Sequence, residues 1–256
     1  MRLLLNQAVL ALGTLAPLLC HAAGADSDWI SYRDAYRAMV VFEKYGKPKS
    51  LLQHQVQVVL AEKMAPGEPL RLVLNGPNSQ LNLVLDATGR TVFPLLKAAY
   101  DDNAALILSR KLGPFKMRAR VSLVVRADGI YDMAELRAAC EQALGYARYL
   151  DATYASRSCA GVRFGFSKTG PLPTLTVKRG QPAETTELKV QEGAIFGDDA
   201  SDAFRVANLR FGAYAGRVQV STQEAPLAIV PLFEGAAAPT VPAPSAASAV
   251  PAEAAR

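Results

Sequence analysis

From Phe115 to Val125 apolar and polar side chains alternate almost residue by residue. Phe115, Met117, Ala119, Val121, Leu123 and Val125 fall on one side, and Lys116, Arg118, Arg120 and Ser122 on the other. A period of two is that of a β-strand, whose successive side chains point to opposite faces. One face of this strand must be covered by apolar partners, and the other is polar and basic. The same period recurs upstream. Val56, Val58 and Leu60 alternate with Gln55, Gln57 and Val59, and Leu70, Leu72 and Leu74 with Arg71, Val73 and Asn75; Leu81, Leu83 and Leu85 repeat the pattern. Met64–Pro69, Gly76-Pro77-Asn78 and Asp86-Ala87-Thr88-Gly89 separate these runs as turns, which predicts an antiparallel meander.

Further strands are predicted at Ala105–Leu108 and Val162–Phe166, with Gly113-Pro114 as punctuation. Beyond Gly170-Pro171-Leu172-Pro173, short β segments follow near Thr174–Val177, Glu187–Val190, Ala203–Phe211, Arg217–Ser221 and Leu227–Phe233. Two stretches have helical spacing instead. Trp29–Tyr45 carries Tyr32, Ala35, Tyr36, Met39, Val40 and Phe42, with Ser31 as N-cap answered by Asp34 and a stop at Gly46 and Pro48. Tyr131–Ala152 carries Met133, Leu136, Cys140, Ala143, Leu144, Ala147 and Leu150, with Asp132 and Glu135 in a capping-box arrangement. Phe93–Tyr100 reads as a short helix or an irregular connection. The predicted fold is α+β, a predominantly antiparallel β-sheet, meander- or sandwich-like, with two main helices packed on it.

The ends have other compositions. Met1-Arg2 precedes an apolar run to Leu19, then the small residues Ala22, Ala23, Gly24 and Ala25. A basic start, a short apolar stretch and a small-residue cleavage site define a secretory signal, assigned here to residues 1–25. Asn6, Gln7, Gly13 and Pro17 interrupt the run, against a membrane-spanning helix. Leu19 before Cys20 departs from a lipoprotein site. Residues 26–170 are then an α+β domain, and 171–234 a β-rich C-terminal part that either joins that domain or forms its own. Residues 235–256 are Ala, Pro, Ser and Val with almost no charge, a composition expected to be disordered. No second stretch is apolar and long enough to span a bilayer, so the mature chain is expected in the periplasm, with secretion or envelope association as alternatives.

Export bears on the cysteines. Of the three, Cys20 leaves with the signal, and Cys140 and Cys159 remain. In an oxidising compartment two cysteines pair, and a helix carrying Cys140 beside a strand starting at Cys159 permits it. Two cysteines and His54 at these spacings match no common zinc pattern, so no metal is expected.

Chemistry is sparse elsewhere. His54 is the only histidine outside the signal, and no Gly-x-Ser-x-Gly elbow exists, so a serine hydrolase lacks its frame. His54 reads as a strand-edge surface residue. No phosphate loop or dinucleotide fingerprint occurs, and no cofactor is expected. A net charge of +5 is too small and too dispersed to imply nucleic acid. The basic strand face is the most specific feature: Lys116, Arg118 and Arg120 point one way, with Arg110, Lys111 and Arg126 flanking. Such a face suits an anionic lipid or acidic glycan of the envelope, since guanidinium groups bind phosphate and carboxylate through paired hydrogen bonds. It equally suits a solvated outer strand face. Asp198, Asp199 and Asp202, and separately Asp101 and Asp102, offer carboxylates for glycan hydrolysis or read as solvated turns.

The order of a helix with Tyr32 and Tyr36, the segment Leu81-Asn82-Leu83-Val84-Leu85-Asp86, Phe93-Pro94, Gly113-Pro114, a strand and a helix from Tyr131 resembles exported bacterial proteins of an uncharacterised family. The resemblance covers about residues 30–166, implies a periplasmic location and carries over no site residue. The expected function is a non-enzymatic envelope protein that binds or scaffolds another envelope component, an anionic lipid or glycan or an envelope protein. The alternative is a carboxylate-dependent envelope glycan hydrolase.

Overall fold

The computed structural model describes residues 28–60, 69–180, 184–200 and 202–235. The predicted signal segment 1–25, residues 236–256 of the predicted tail and most of the predicted turn Met64–Pro69 lie outside the described residues. In chain order come β1 (Trp29–Ser31), α1 (Tyr32–Lys44), β2 (Leu52–Leu60), β3 (Arg71–Asn75), β4 (Gln80–Val84), β5 (Arg90–Thr91) and α2 (Lys97–Asp101). Next are β6 (Ala105–Leu108), β7 (Phe115–Leu123), β8 (Ile130–Asp132), α3 (Met133–Leu150) and β9 (Ser158–Phe166). The remaining strands are β10 (Leu175–Arg179), β11 (Glu184–Glu187), β12 (Val190–Gly193), β13 (Phe204–Arg210), β14 (Val218–Thr222) and β15 (Ala228–Glu234). The fold is α+β and β-rich, and its strand pairings are antiparallel.

A seven-stranded sheet, β12-β13-β9-β15-β7-β2-β5, is the central layer. Strands from both sides of Gly170–Pro173 share it. A four-stranded sheet β1-β6-β3-β4 packs at one end, and another, β11-β10-β14-β8, beside α3. The predicted meander therefore divides: β3 and β4 form a hairpin, but β2 leaves them and pairs along its whole length with β7, from Leu52↔Leu123 to Leu60↔Phe115. The two faces of this ribbon explain the choice. Gln53, Gln55 and Gln57 stand opposite Ser122, Arg120 and Arg118, while Leu52, Val56 and Val58 stand opposite Leu123, Ala119 and Met117. Like meets like across both faces, so register is set by pattern.

The ribbon spans two cores. Leu52 and Leu123 belong to the larger one, where Leu136, Cys140 and Ala143 of α3 pack on Val162, Phe164, Leu209 and Ile229. Val56, Val58 and Phe115 belong to the second, with Leu72, Leu74 and Leu106 of the end sheet and Tyr32, Ala35 and Met39 of α1. Helix α1 bridges them likewise, since its Phe42 joins the larger core.

Ser31 and Asp132 hold the N-cap positions predicted for them, but neither makes a side-chain cap bond and the residues just before them are strand rather than helix. Trp29–Ser31 pairs with β6 and so stays extended, which moves the start of α1 to Tyr32. Ser31 Oγ donates to Asn103 Oδ1 at 2.7 Å instead of capping, and Asp34 pairs with Arg37 at 3.0 Å. Tyr131 and Asp132 are held in β8 against β14, so α3 starts at Met133 without a side-chain cap bond. A cap is worth about 1 kcal/mol. Burying one side chain such as Leu136 is worth roughly 1.5–3 kcal/mol, so packing decides where α3 sits.

Cys140 and Cys159 form a disulfide, with Cα atoms 6.0 Å apart and a sequence separation of 19. It ties α3 to the start of β9. Closing a loop of this length stabilises by about 3 kcal/mol through the entropy of the unfolded chain. The Cys140→Ala, Cys159→Ala variant is expected to lose about that much in urea denaturation, and wild type under reductant to match it.

His54 corrects the surface reading: it stacks on Phe42 with ring centroids 4.6 Å apart, and its Nε2 is buried without a hydrogen-bond partner. Burial, helped by the charge on Lys49, holds its pKa down at about 4. The folded state thus binds fewer protons here than the unfolded chain. Stability from this group is complete above the ordinary value of 6.5 and is lost as pH falls towards 4. The expected loss is on the order of 2 kcal/mol after allowing for solvent screening at a half-buried site. Urea midpoints measured from pH 7 to 4 should fall less in His54→Phe than in wild type. The Asp128 carboxylate, held at about 2 by Arg126, titrates below this window.

Candidate functional site

The face of the central sheet opposite α3 carries the arginines. On β7, Arg118, Arg120 and Ser122 point this way, as do Arg163 and Gly165 of β9, Val206 of β13, and Ala228 and Val230 of β15. The basic strand face is therefore partly roofed rather than simply solvated. The roof is the described part of the connection between β12 and β13, residues 194–200 and 202–203. Its Ile195 and Phe196 bury against Val206, Ala228 and Val230 in a small third core. Gly165 permits this contact: a Cβ there would lie 2.3 Å from Ile195 Cγ1. Arg163 Nη1 donates to Ala194 O at 2.8 Å, and Lys168 Nζ to Asp202 O at 3.0 Å, holding both ends of the connection.

Arg90 anchors the middle. It is 1% exposed, among the largest fully buried side chains of the molecule. The predicted turn Asp86–Gly89 delivers it, with Gly89 at φ 75°, where a Cβ would lie 2.8 Å from Val58 O. Asp86 Oδ1 accepts from the backbone N–H groups of Thr88 (2.8 Å) and Arg90 (2.9 Å) and from the Thr88 hydroxyl (2.5 Å). Arg90 Nη2 donates to Asp86 Oδ2 at 3.1 Å and also to Leu227 O, and Nε to Thr88 Oγ1 at 2.6 Å. A buried charge persists only when paired and bonded in this way.

Phe196 lies against two guanidinium groups, 5.5 Å from that of Arg90 and 4.6 Å from that of Arg120. Arg120 Nε donates to Gln57 Oε1 at 2.6 Å, and Gln57 Nε2 in turn donates to Thr88 O at 2.8 Å. Asp198 then receives Arg120 Nη2 on Oδ1 at 2.6 Å and Arg118 Nη1 on Oδ2. Burial lowers the Arg120 pKa, opposed by the Asp199 charge and reinforced by Arg118 and Arg90. The acidic segment and the basic strand, which the sequence presents as independent features, thus meet.

Beside this clamp opens a cleft of about 600 Å³, floored by Gln57, Arg118 and Arg120 and walled by apolar groups that include Leu60, Leu70, Leu85 and Phe204. Asp86, Asp198 and Asp199 line it too. Asp199 Oδ2 accepts from Phe196 N at 2.9 Å, so each of these carboxylates is engaged in the folding of the site. Asp101 and Asp102 are elsewhere, bonded to Lys97 and Asn78. Among the described residues, no group of three or more His, Cys, Asp or Glu side chains is placed to hold a metal ion.

The basic residues singled out by sequence do not gather at one place. Arg118 and Arg120 share the clamp. Lys116 lies farther along the same face, exposed opposite Val59. Arg110 and Lys111 line a different cleft of about 640 Å³ with Trp29, Asn103 and Leu112. Arg126 pairs with Asp128 and Glu135. Sequence reasoning missed Arg90, Gln57 and Phe196; the one available signal was the Asp-x-Thr-Gly-Arg turn, which places a cation directly after a tight bend.

Comparison with protein-family models, curated proteins and solved structures finds no match for this chain.

Replacing Arg90 removes the charge partner of Asp86 and the ring contact to Phe196. Arg90→Met is expected to cost about 3 kcal/mol in urea denaturation, since breaking a buried pair strands its partner. Arg118→Met, at an exposed site, should cost less than about 1 kcal/mol by the same measurement.

Proposed function

We propose that this chain is an exported, periplasmic, non-catalytic envelope protein that binds an anionic envelope component through the Arg118–Arg120 face. The observation that carries the reading is the clamp itself: two guanidinium groups aimed at one anionic group at the mouth of a cleft, with Arg120 braced by Gln57 and Phe196. Braced donors lose little freedom on binding, which favours recognition over a merely solubilising role. The Cys140–Cys159 disulfide supports an oxidising compartment. Among the described residues no helix is long and apolar enough to cross a membrane.

A second reading is glycan hydrolysis by carboxylates, favoured by the presence of Asp86, Asp198 and Asp199 around one cleft. It requires that Asp198→Asn or Asp199→Asn abolish cleavage of an envelope glycan.

Co-sedimentation with peptidoglycan and with vesicles containing phosphatidylglycerol tests the first reading. The expected result is binding that weakens at high salt and falls at least about tenfold in Arg118→Glu, Arg120→Glu, because the clamp charges are reversed. Binding unaffected by that variant would refute the basic face as the contact.

A further inference from the structure

We infer that Asp198 occupies the place of a ligand carboxylate, and that the Arg118–Arg120 clamp receives a carboxylate-bearing molecule with an apolar body once Asp198 turns away. The inference rests on the basic-face reading above and names the group recognised there. Asp198 presents one carboxylate oxygen to each guanidinium group, Oδ1 to Arg120 Nη2 at 2.6 Å and Oδ2 to Arg118 Nη1. A planar, singly charged group fits this arrangement. Arg120 is held in the position that suits the resident carboxylate, because Gln57 Oε1 accepts from its Nε at 2.6 Å and the Phe196 ring lies 4.6 Å from its guanidinium carbon.

The resident carboxylate is displaceable. The Asp198 and Arg118 side chains are each 41% exposed, and an ion pair at such exposure is weak, while Arg120, 14% exposed, is the donor that stays in place for the incoming group. The backbone just before Asp198 is uncrowded, since a Cβ added at Gly197 would meet nothing within 4 Å. The deeper residues Ile195 and Phe196 stay packed, and only the Asp198 side chain has to rotate into solvent. An incoming carboxylate takes over the same two donors, so the clamp keeps its charge balance and no covalent bond is made or broken.

The cleft selects the rest of the molecule. Beyond the clamp the walls are Leu60, Leu70, Leu85 and Phe204, in a space of about 600 Å³ that accommodates a short hydrocarbon or other apolar body. A polar headgroup on an apolar stem satisfies both regions.

Isothermal titration of the purified protein with octanoate, octyl phosphate and octanamide tests this. Removing an internal competitor raises apparent affinity by the reciprocal of the fraction of time the clamp is vacant, so Asp198→Asn is expected to bind octanoate about tenfold tighter than wild type. Asp202→Asn removes an equal charge from the same connection, outside the clamp, and is expected to change affinity less than about twofold. Octanamide should bind weakly to all, and Arg118→Glu, Arg120→Glu should lose octanoate. Asp198→Ala serves as a second variant, with thermal unfolding confirming that each protein is folded. Equal gains in Asp198→Asn and Asp202→Asn would reduce the effect to net charge and overturn the inference. So would octyl phosphate binding as tightly as octanoate, or octanoate affinity that ignores Asp198. No octanoate binding by any variant, with peptidoglycan or vesicle sedimentation intact, would overturn the carboxylate assignment alone; loss of both would overturn the basic-face reading as well.

Discussion

The pairing of β2 with β7 is the constraint on which the rest depends. Its register runs unbroken from Leu52↔Leu123 to Leu60↔Phe115, and one face of this ribbon feeds both large cores. The opposite face then has to be polar on β7 and β2 yet lies inside a sheet whose strands β15 and β13 bury apolar groups on that side. A charged stripe beside an apolar patch cannot be covered by hydrocarbon alone. The connection between β12 and β13 resolves the conflict by bringing Phe196 and Asp198 together, an aromatic face and a carboxylate, against the same arginines.

Much of the architecture was legible in the sequence, and the reason is local. Period-two runs mark β2, β3, β7 and β9 because each strand must bury one face, and the long 3.6-period pattern marks α3 for the same reason. The Asp86–Gly89 turn was legible from residue types that tolerate its geometry. The Cys140–Cys159 pair followed from the two cysteines outside the predicted signal, which lie on neighbouring elements. The N-cap positions Ser31 and Asp132 were legible, but the short strands β1 and β8 at and before them were not, because single-segment patterns do not register a partner strand far away in sequence.

The site was legible only in halves. Alternation put Arg118 and Arg120 on one side of β7, and the clustering of Asp198 and Asp199 was plain, but their contact spans a sequence separation of 78–80 residues. Nothing in either segment names the other. Arg90 directly follows the predicted turn, and one of the acceptors that satisfies it when buried is Leu227 O, a backbone group with no sequence signature at all. His54 shows the same limit: its polarity suggests the surface, whereas the packing of Phe42 over it depends on where α1 crosses the sheet.

The position of β15 has a consequence for how this chain is made. It is the last described strand in sequence, yet it sits near the middle of the central sheet, between β9 and β7. Before it emerges, β7 with β2 and β5 form one fragment, and β9 with β13 and β12 another, with no strand to join them. A nascent chain can therefore build pieces but cannot close the central sheet until β15 is synthesised. Late insertion of a central strand delays compaction, since contacts distant in sequence must wait for both partners. For the export proposed above, this order of strands would keep the chain open for threading through a narrow pore, since the sheet closes only when β15 joins it.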